Sequence, residues 1–449
     1  MSAPGWAGLK RISEPARTVD VIRETDVLVV GSGPGGLGAS LGAARAGADT
    51  TLVERHGCFG GNITAVGVES FAWYRHEQTV DSVGVGVEIE ARARAMGATS
   101  DESQSVSQAF DAERFKVVAD ALVEEAGITP MLHRTFVAPI LEGNVLRGVI
   151  TESKSGREAI LARRVVDATG DADVAAWSGA PVRKTPKEHM LSASVMFSMT
   201  GVNKRRFIDT IKADPPRYRD WAGNFEWDIE TTGKEDDLFS PFLRKPFKKA
   251  VEAGVIPPNL ITMAGTYGTV SDHGDLTYLN LIHMGEIEGR KQAMHAIEAL
   301  RRFMPGCEDA KLRNFGMTLG VRDTRKIDAL YNLTEHDVRE QARFDDSIGI
   351  FPEFIDGYGV LILPTTGRYF EVPYRSLVPQ GIGNLVVAGR CIGGDKISHA
   401  AVRSMMCCTV SGQGAGVAAA VSIRADRPFD RLDIGQVQAE LTRQGVRIH

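Results

Sequence analysis

Apolar and polar positions along the 449 residues fall into two textures. In the first, short apolar runs alternate with helical stretches. Val27–Val30 is a continuous apolar run between Asp26 and a glycine cluster, which predicts a buried parallel strand. Leu37–Gly47 is rich in alanine and leucine and stops at glycine, as a helix does. Thr50–Val53 predicts a second strand, ended by Glu54. Helices are expected over Ser82–Met96 and Ala112–Ala126, the latter with Phe115, Val118, Leu122 and Val123 on one face. Ile128–His133 reads as a strand. Thr135–Leu141, Val145–Thr151 and Ala159–Ala162 alternate with the turn residues Gly143-Asn144 and Ser155-Gly156, a small antiparallel meander. Val165-Val166 reads as a separate short strand running into Ala168-Thr169-Gly170. Asp171 and Asp173 then suit the N-cap of a short helix at 175–177.

Residues 178–376 carry the second texture, rich in proline and without the strand–helix–strand rhythm. Leu191–Thr200 and Leu276–Leu281 read as strands, Glu286–Phe303 and Glu335–Phe344 as helices. The first pattern returns at Leu385–Val387, a short strand ending in Ala388-Gly389. His399–Val421 is helical, with a break expected at Ser411–Gly414 and a fresh helix from Ala415. The expected fold is α/β: a Rossmann-like nucleotide domain from 20–177 and 377–425, an inserted α+β substrate domain at 178–376, and a peripheral tail at 426–449.

Candidate chemistry starts at the first turn. Gly31, Gly33 and Gly36 stand in the spacing G-x-G-x-x-G, with Pro34 and Gly35 between them. The first glycine allows the tight turn, the second admits a pyrophosphate, and the third lets helix and strand close up. Free N–H groups at the helix start favour a diphosphate. Glu54, 18 positions after Gly36, suits an adenosine ribose. A lone glycine motif is weak evidence, but here strand, helix, second strand and terminal acid accompany it. The motif leaves NAD and FAD open. Gly60, Gly61 and Asn62 leave the acid-bearing strand and are expected to meet the rest of the same dinucleotide.

Composition narrows the partners. A net charge of −5 argues against nucleic acid. No apolar run approaches the ~18 residues of a membrane span, and the N-terminus lacks a signal-peptide core. Cys58, Cys307, Cys391, Cys407 and Cys408 form no metal-ligand pattern and no disulfide framework. No metal is expected, and a reducing cytoplasm is the expected compartment.

A nucleotide domain interrupted by another and completed at the C-terminus is unusual for NAD dehydrogenases. The chain resembles flavoproteins with a glutathione-reductase-type FAD domain. More narrowly, it is similar to the FAD-dependent oxidoreductase family distantly related to succinate dehydrogenase and fumarate reductase flavoproteins. The resemblance runs from about Ala16 to Ala425. It rests on GSGPGGLGASLGAARAGADTTLVE, VVDATGDADVAAWSGAP, GVRDTRKIDALYNLTEHDV, EVPYRSLVPQGIGNLVVAGRCIG and SHAAVRSMMCCTVSGQGAGVAAA. It implies non-covalent FAD. Gly31, Gly33, Pro34, Gly35 and Gly36 would hold the pyrophosphate, flanked by Ala168, Thr169 and Gly170. Glu54 and Arg55 would lie at the adenosine ribose, and Val137 would meet adenine by its backbone. Gly60, Gly61 and Asn62 would follow the ribityl chain and flavin, with Gly389 and Arg390 near ribityl or phosphate. Gly412, Gln413 and Gly414 would aim a helix start at the flavin N1–O2 edge, where reduced flavin is anionic.

For the reacting groups, His399 and Arg403 are four apart and share a helix face. Related fumarate reductases use an arginine of this spacing to grip a substrate carboxylate. The surrounding motif differs here, and pairing between domains is the other reading. His399 is the expected general base, because imidazole titrates near neutrality. Arg322, in GVRDTR, can clamp an anion or tie domains together. Tyr374 precedes the return to the nucleotide domain, at a junction where ligand sites are common. Cys407-Cys408 read as small core residues. The expected activity is hydride transfer between a small organic substrate, an anion being one option, and flavin N5. An FAD-dependent monooxygenase and a non-catalytic flavoprotein subunit are the alternatives. No second strand–GxGxxG–helix unit appears for NAD(P)H. The electron acceptor is open among oxygen, a quinone and a soluble carrier, and oligomeric state is open too, a homo-oligomer included.

Overall fold

The computed structural model describes residue 10 and residues 12–72, 74, 82–101, 108–217, 228–230, 240, 242–260, 263–265, 276–282, 285–364 and 367–449. Its main sheet has seven strands: β1 (Asp20–Val30), β2 (Thr50–Val53), β3 (Thr129–Met131), β4 (Thr135–Glu142), β5 (Val145–Ser153), β6 (Gly156–Asp167) and β7 (Leu385–Val387). They lie in the order β3-β2-β1-β6-β5-β4, with β7 also on β6. The β1, β2, β3, β6 and β7 pairings are parallel, and β4-β5 and β5-β6 are antiparallel.

The two short strands expected at 159–162 and 165–166 are one strand, β6. The charged pair between them does not break it, because both side chains find partners. Arg163 reaches Asp26 Oδ1 at 3.1 Å, and Arg164 Nε donates to Ser422 Oγ at 2.7 Å. The first half of β6 carries β5 and the second half carries β7, so one strand joins the meander to the parallel sheet.

The first helix, Pro34–Arg45, packs on a long helix, Met405–Ala425. The expected break at Ser411–Gly414 is absent. The chain breaks earlier, at Arg403-Ser404, between Lys396–Val402 and Met405–Ala425. The glycines serve packing instead. A Cβ on Gly412 would stand 2.1 Å from the Gly35 carbonyl oxygen, and one on Gly416 only 1.9 Å from that of Ala39. Close backbone contact along the helix outweighs the low helix propensity of glycine. By length and composition the long helix passes for a membrane span, but it is buried on all sides in the core.

The stretch 178–376 divides between two cores. A five-stranded sheet orders Phe242–Leu243, Met263–Gly265, Leu276–Ile282, Ser194–Thr200 and Lys311–Phe315. With the helix Glu286–Phe303 it encloses Phe197, Phe207, Phe247, Leu300 and Cys307. Leu333, Ile348, Phe351, Phe370, Tyr374 and Leu377 join the core of the first and long helices instead. The helix expected to reach Phe344 stops at Arg339. A Thr334–Asp337 capping box starts it, and Gln341, at φ 56°, turns the chain away.

Candidate functional site

The carboxyl ends of β1, β2, β6 and β7 open on one cleft, the usual ligand position in such sheets. Gly31 (φ 98°) makes the first turn. A Cβ there would meet the Ala168 carbonyl oxygen at 2.5 Å. Gly33 differs: a Cβ there has its nearest described atom, Gly61 Cα, 4.0 Å away, so a side chain would enter the cleft. Leu37 is the first residue to bond back within the helix, to Gly33 O at 2.9 Å. The Gly35 and Gly36 N–H groups therefore have no intrahelical acceptor, and this open, backbone-lined cradle fits a diphosphate.

Glu54 stands at the end of β2, buried. Its Oε2 accepts from Ser32 N–H at 2.9 Å and Ser32 Oγ–H at 2.6 Å, and its Oε1 from His56 N–H at 2.9 Å. A carboxylate offers about four lone-pair positions, so one remains for a ribose hydroxyl. Arg55, His56, Arg134, Thr135 and Phe136 continue the wall. Val137 lies one residue beyond it.

The turn after β6 is held by carboxylates rather than by the expected caps. Asp167 accepts from Thr169 N–H and Oγ–H, at 3.1 and 2.7 Å, and from Ala175 N–H at 2.9 Å. Burial pushes its pKa up to about 6 despite these bonds. Asp171 is drawn away from the short helix. It pairs with Arg390 and accepts from Thr324 Oγ–H at 2.7 Å. Burial alone would raise its pKa, but Arg390 and Thr324 outweigh it, and the net shift is downward. Asp173 pairs with Arg325, and Arg390 donates to the Val321 carbonyl. Ala168, Thr169, Gly170, Gly389 and Arg390 all line the cleft. The complementary charges of DATGDAD and VRDTR were the only sequence signal for this clamp.

At the other end, the cleft is walled by Gly61, Asn62, Ala65, Val66, Thr318, Leu319, Val321, Arg403, Met405 and Cys408. Cys408 N–H is the first in the long helix to bond back, to Ser404 O at 2.8 Å. The positive end of that helix thus lies at Met405–Cys407, beside the cleft. Gly412, Gln413 and Gly414, expected at a helix start, lie in mid-helix and off the cleft. Gln413 Oε1 accepts from Val85 N–H at 2.9 Å, and a Cβ on Gly414 would strike Ile348. Gly36 and Gly60 are also off the wall. A Cβ on Gly36 would stand 1.8 Å from Gly31 O, and Gly60 N–H donates to Ser32 O at 3.0 Å.

Of the four expected reacting residues, Arg403 alone reaches the cleft wall. It donates to the Asp356 carbonyl and, at 3.3 Å, to Asp356 Oδ2. Its Nε is buried without a partner among the described residues. His399 is buried off the wall. Its Nε2 lies 3.0 Å from the Arg322 carbonyl, so Nε2 carries the proton, and Nδ1 is unpartnered among the described residues. Burial, then Lys326 and Arg403, lowers its pKa to about 3. A neutral imidazole out of reach of the cleft is not placed as a general base. Arg322 donates to the Ser192 carbonyl at 3.0 Å and to Ser194 Oγ. Tyr374 is 2% exposed and donates its hydroxyl to Phe429 O at 2.9 Å. Both hold segments together.

The chain belongs to the FAD-dependent oxidoreductase family, whose model matches residues 26–441. It is thus an FAD-dependent oxidoreductase, and FAD is its cofactor. A geranylgeranyl bacteriochlorophyll reductase-like protein from Thermoplasma acidophilum is similar at 14% identity and TM-score 0.49, over 94% of this chain and 84% of that one. The p-nitrophenol 4-monooxygenase of Pseudomonas putida DLL-E4 is similar at 8% identity and TM-score 0.46, over 94% and 85%. The myxobacterial chondrochloren halogenase is similar at 12% identity and TM-score 0.45, over 94% and 79%. No curated protein matches the sequence.

Proposed function

We propose that this enzyme oxidises or reduces a small organic anion that Arg403 holds against the cofactor. The observation that carries this is Arg403 in the cleft wall, with its Nη2 on Asp356 and its Nη1 without a partner among the described residues. A guanidinium N–H in a cleft wall is a donor for an anion, and such charge-assisted bonds are the strong ones. Bound FAD supplies a two-electron hydride acceptor or donor at N5. Gly33, Gly35, Thr169 and Gly170 would hold its diphosphate, Glu54 its ribose, and Arg134–Phe136 its adenine. Gly61, Asn62 and Met405 would flank the flavin. The open N–H groups at Met405–Cys407 favour negative charge in that part of the cleft. Val66, Leu319 and Val321 supply an apolar wall that keeps water from the reacting atoms.

The test is anaerobic reduction of the flavin by a library of metabolites, followed by absorbance. An anionic compound should bleach the wild-type protein without NADPH. Arg403→Ala should keep its FAD yet lose about 2–4 kcal/mol of transition-state binding, as removal of a positioned donor does. Arg403→Ala reduced at the wild-type rate would sink the proposal. Bleaching that needs NADPH, with oxygen incorporated into product, would make the enzyme a monooxygenase.

A further inference from the structure

Strands Ile355–Gly357 and Val360–Ile362 form a hairpin whose turn is Tyr358-Gly359. Tyr358 sits in this turn in the left-handed conformation, φ 57°. Few residues other than glycine adopt it, and a bulky one persists there only where its surroundings over-determine it. Here they do. The phenol O–H donates to Asp323 Oδ2 at 2.6 Å, and Lys396 Nζ lies 4.8 Å from the ring centroid. Asp323 is itself fixed. It is buried and accepts from Lys326 Nζ at 2.7 Å, and that ammonium also donates to Thr185 Oγ at 3.2 Å. Burial and then Asp323 push the phenol well above its ordinary pKa, so it stays a donor. The hairpin rests on the helix Lys396–Val402, where a Cβ on Gly357 would stand 3.4 Å from Ala400 Cβ. Two residues before Tyr358, Asp356 receives the Arg403 guanidinium on its carbonyl and on Oδ2.

We propose that Tyr358 is a positioning residue for Arg403. Anchored on Asp323, it fixes the hairpin so that Asp356 holds Nη2 of the guanidinium and leaves Nη1 for an anionic ligand. The inference rests on Arg403 being the anion-binding group. Tyr358 does not line the cleft, so it acts through Arg403 alone.

The experiment uses the FAD-loaded protein, with acetate and succinate as probes and the absorption spectrum of bound FAD as readout. Wild type should show a saturable spectral shift, and Arg403→Ala should lose it. Tyr358→Phe should keep its FAD and weaken the probes about tenfold, the effect of one misplaced charge-assisted bond. In an Arg403→Lys background, which keeps the charge and measurable binding, Tyr358→Phe should weaken the probes less than it does in wild type, because the two act as one unit. Wild-type affinity in Tyr358→Phe, alongside loss in Arg403→Ala, overturns the positioning role and leaves the anion site standing. A wild-type protein blind to both probes, or an Arg403→Ala protein that still binds them, overturns the anion site and the inference with it. Loss of FAD from Tyr358→Phe, or an equal effect of Tyr358→Phe in the Arg403→Lys background, shows a general scaffold role and overturns the proposal.

Discussion

The two ends of the cleft are made of different material. At Gly31–Gly35, Thr169–Gly170 and Gly389, the wall is backbone, presented by turns that follow parallel strands. At Arg403, it is side chain, borne at a helix junction and held by a hairpin strand 47 positions away in sequence. Backbone-built sites depend on local conformation, which glycine spacing encodes. Side-chain-built sites depend on which distant segments meet, and on which donors are already taken.

The strongest challenge to this contrast lies within the glycine motif itself. Gly36→Val puts carbon against a carbonyl that cannot give way, since even a Cβ would be 1.8 Å from Gly31 O. It should cost more than about 4 kcal/mol or prevent folding, as the severest substitutions do. Gly33→Leu should fold, because its Cβ meets described atoms only at 4.0 Å, yet bind no FAD. Urea unfolding of the apo proteins and released flavin after denaturation separate the two. FAD bound by Gly33→Leu would remove the backbone cradle from the account.

Gly412→Ala tests the helix pair behind the cleft. Its Cβ would stand 2.1 Å from Gly35 O, so it should destabilise by about 3 kcal/mol, the upper range for overpacking. An unchanged urea midpoint would mean the helices do not touch there. Arg403→Lys tests the other end. It keeps the charge but loses the fork, so flavin reduction should slow by about tenfold or more while FAD stays bound. Full activity would show that charge alone suffices.

The last test, with the smallest effect at neutral pH, concerns His399. Its pKa is about 3 in the folded protein and near 6.5 when exposed. The unfolded chain therefore binds the extra proton first, and the stability held above pH 6.5 is lost as pH falls from there toward 3. His399→Gln should flatten this part of the stability–pH curve and leave the neutral-pH activity profile in place. A shifted activity profile would restore His399 as a proton carrier.

These contrasts explain what was legible. Gly31, Gly33 and Glu54 were readable because strand, turn, helix and acid are contiguous. The family's full-length motifs carried FAD, and the family model agrees. The helix start at Met405 was misplaced by ten residues. Glycine normally weakens a helix, and nothing local says that Gly412 and Gly416 press on another backbone. His399 was expected to be a base because its type titrates near neutrality, but burial by segments far away in sequence set its protonation. Tyr374 and Arg322 were expected at a domain junction, but their donors go to the Phe429 and Ser192 carbonyls rather than to the cleft. Asp356 and Tyr358 carry no motif at all.

The place of β7 has a consequence for how the molecule comes into being. Leu385 follows Asp167 by 218 positions, yet β7 pairs directly with β6, and the long helix then covers the glycine face of the first. At about 5–20 residues per second of synthesis, the early half waits some tens of seconds for its last strand. During that wait Val165, Val166 and the Gly38–Gly42 face are uncovered, and contacts so remote in sequence form slowly. A ribosome-bound chain stopped before residue 385 would carry the whole glycine motif and still not close around FAD.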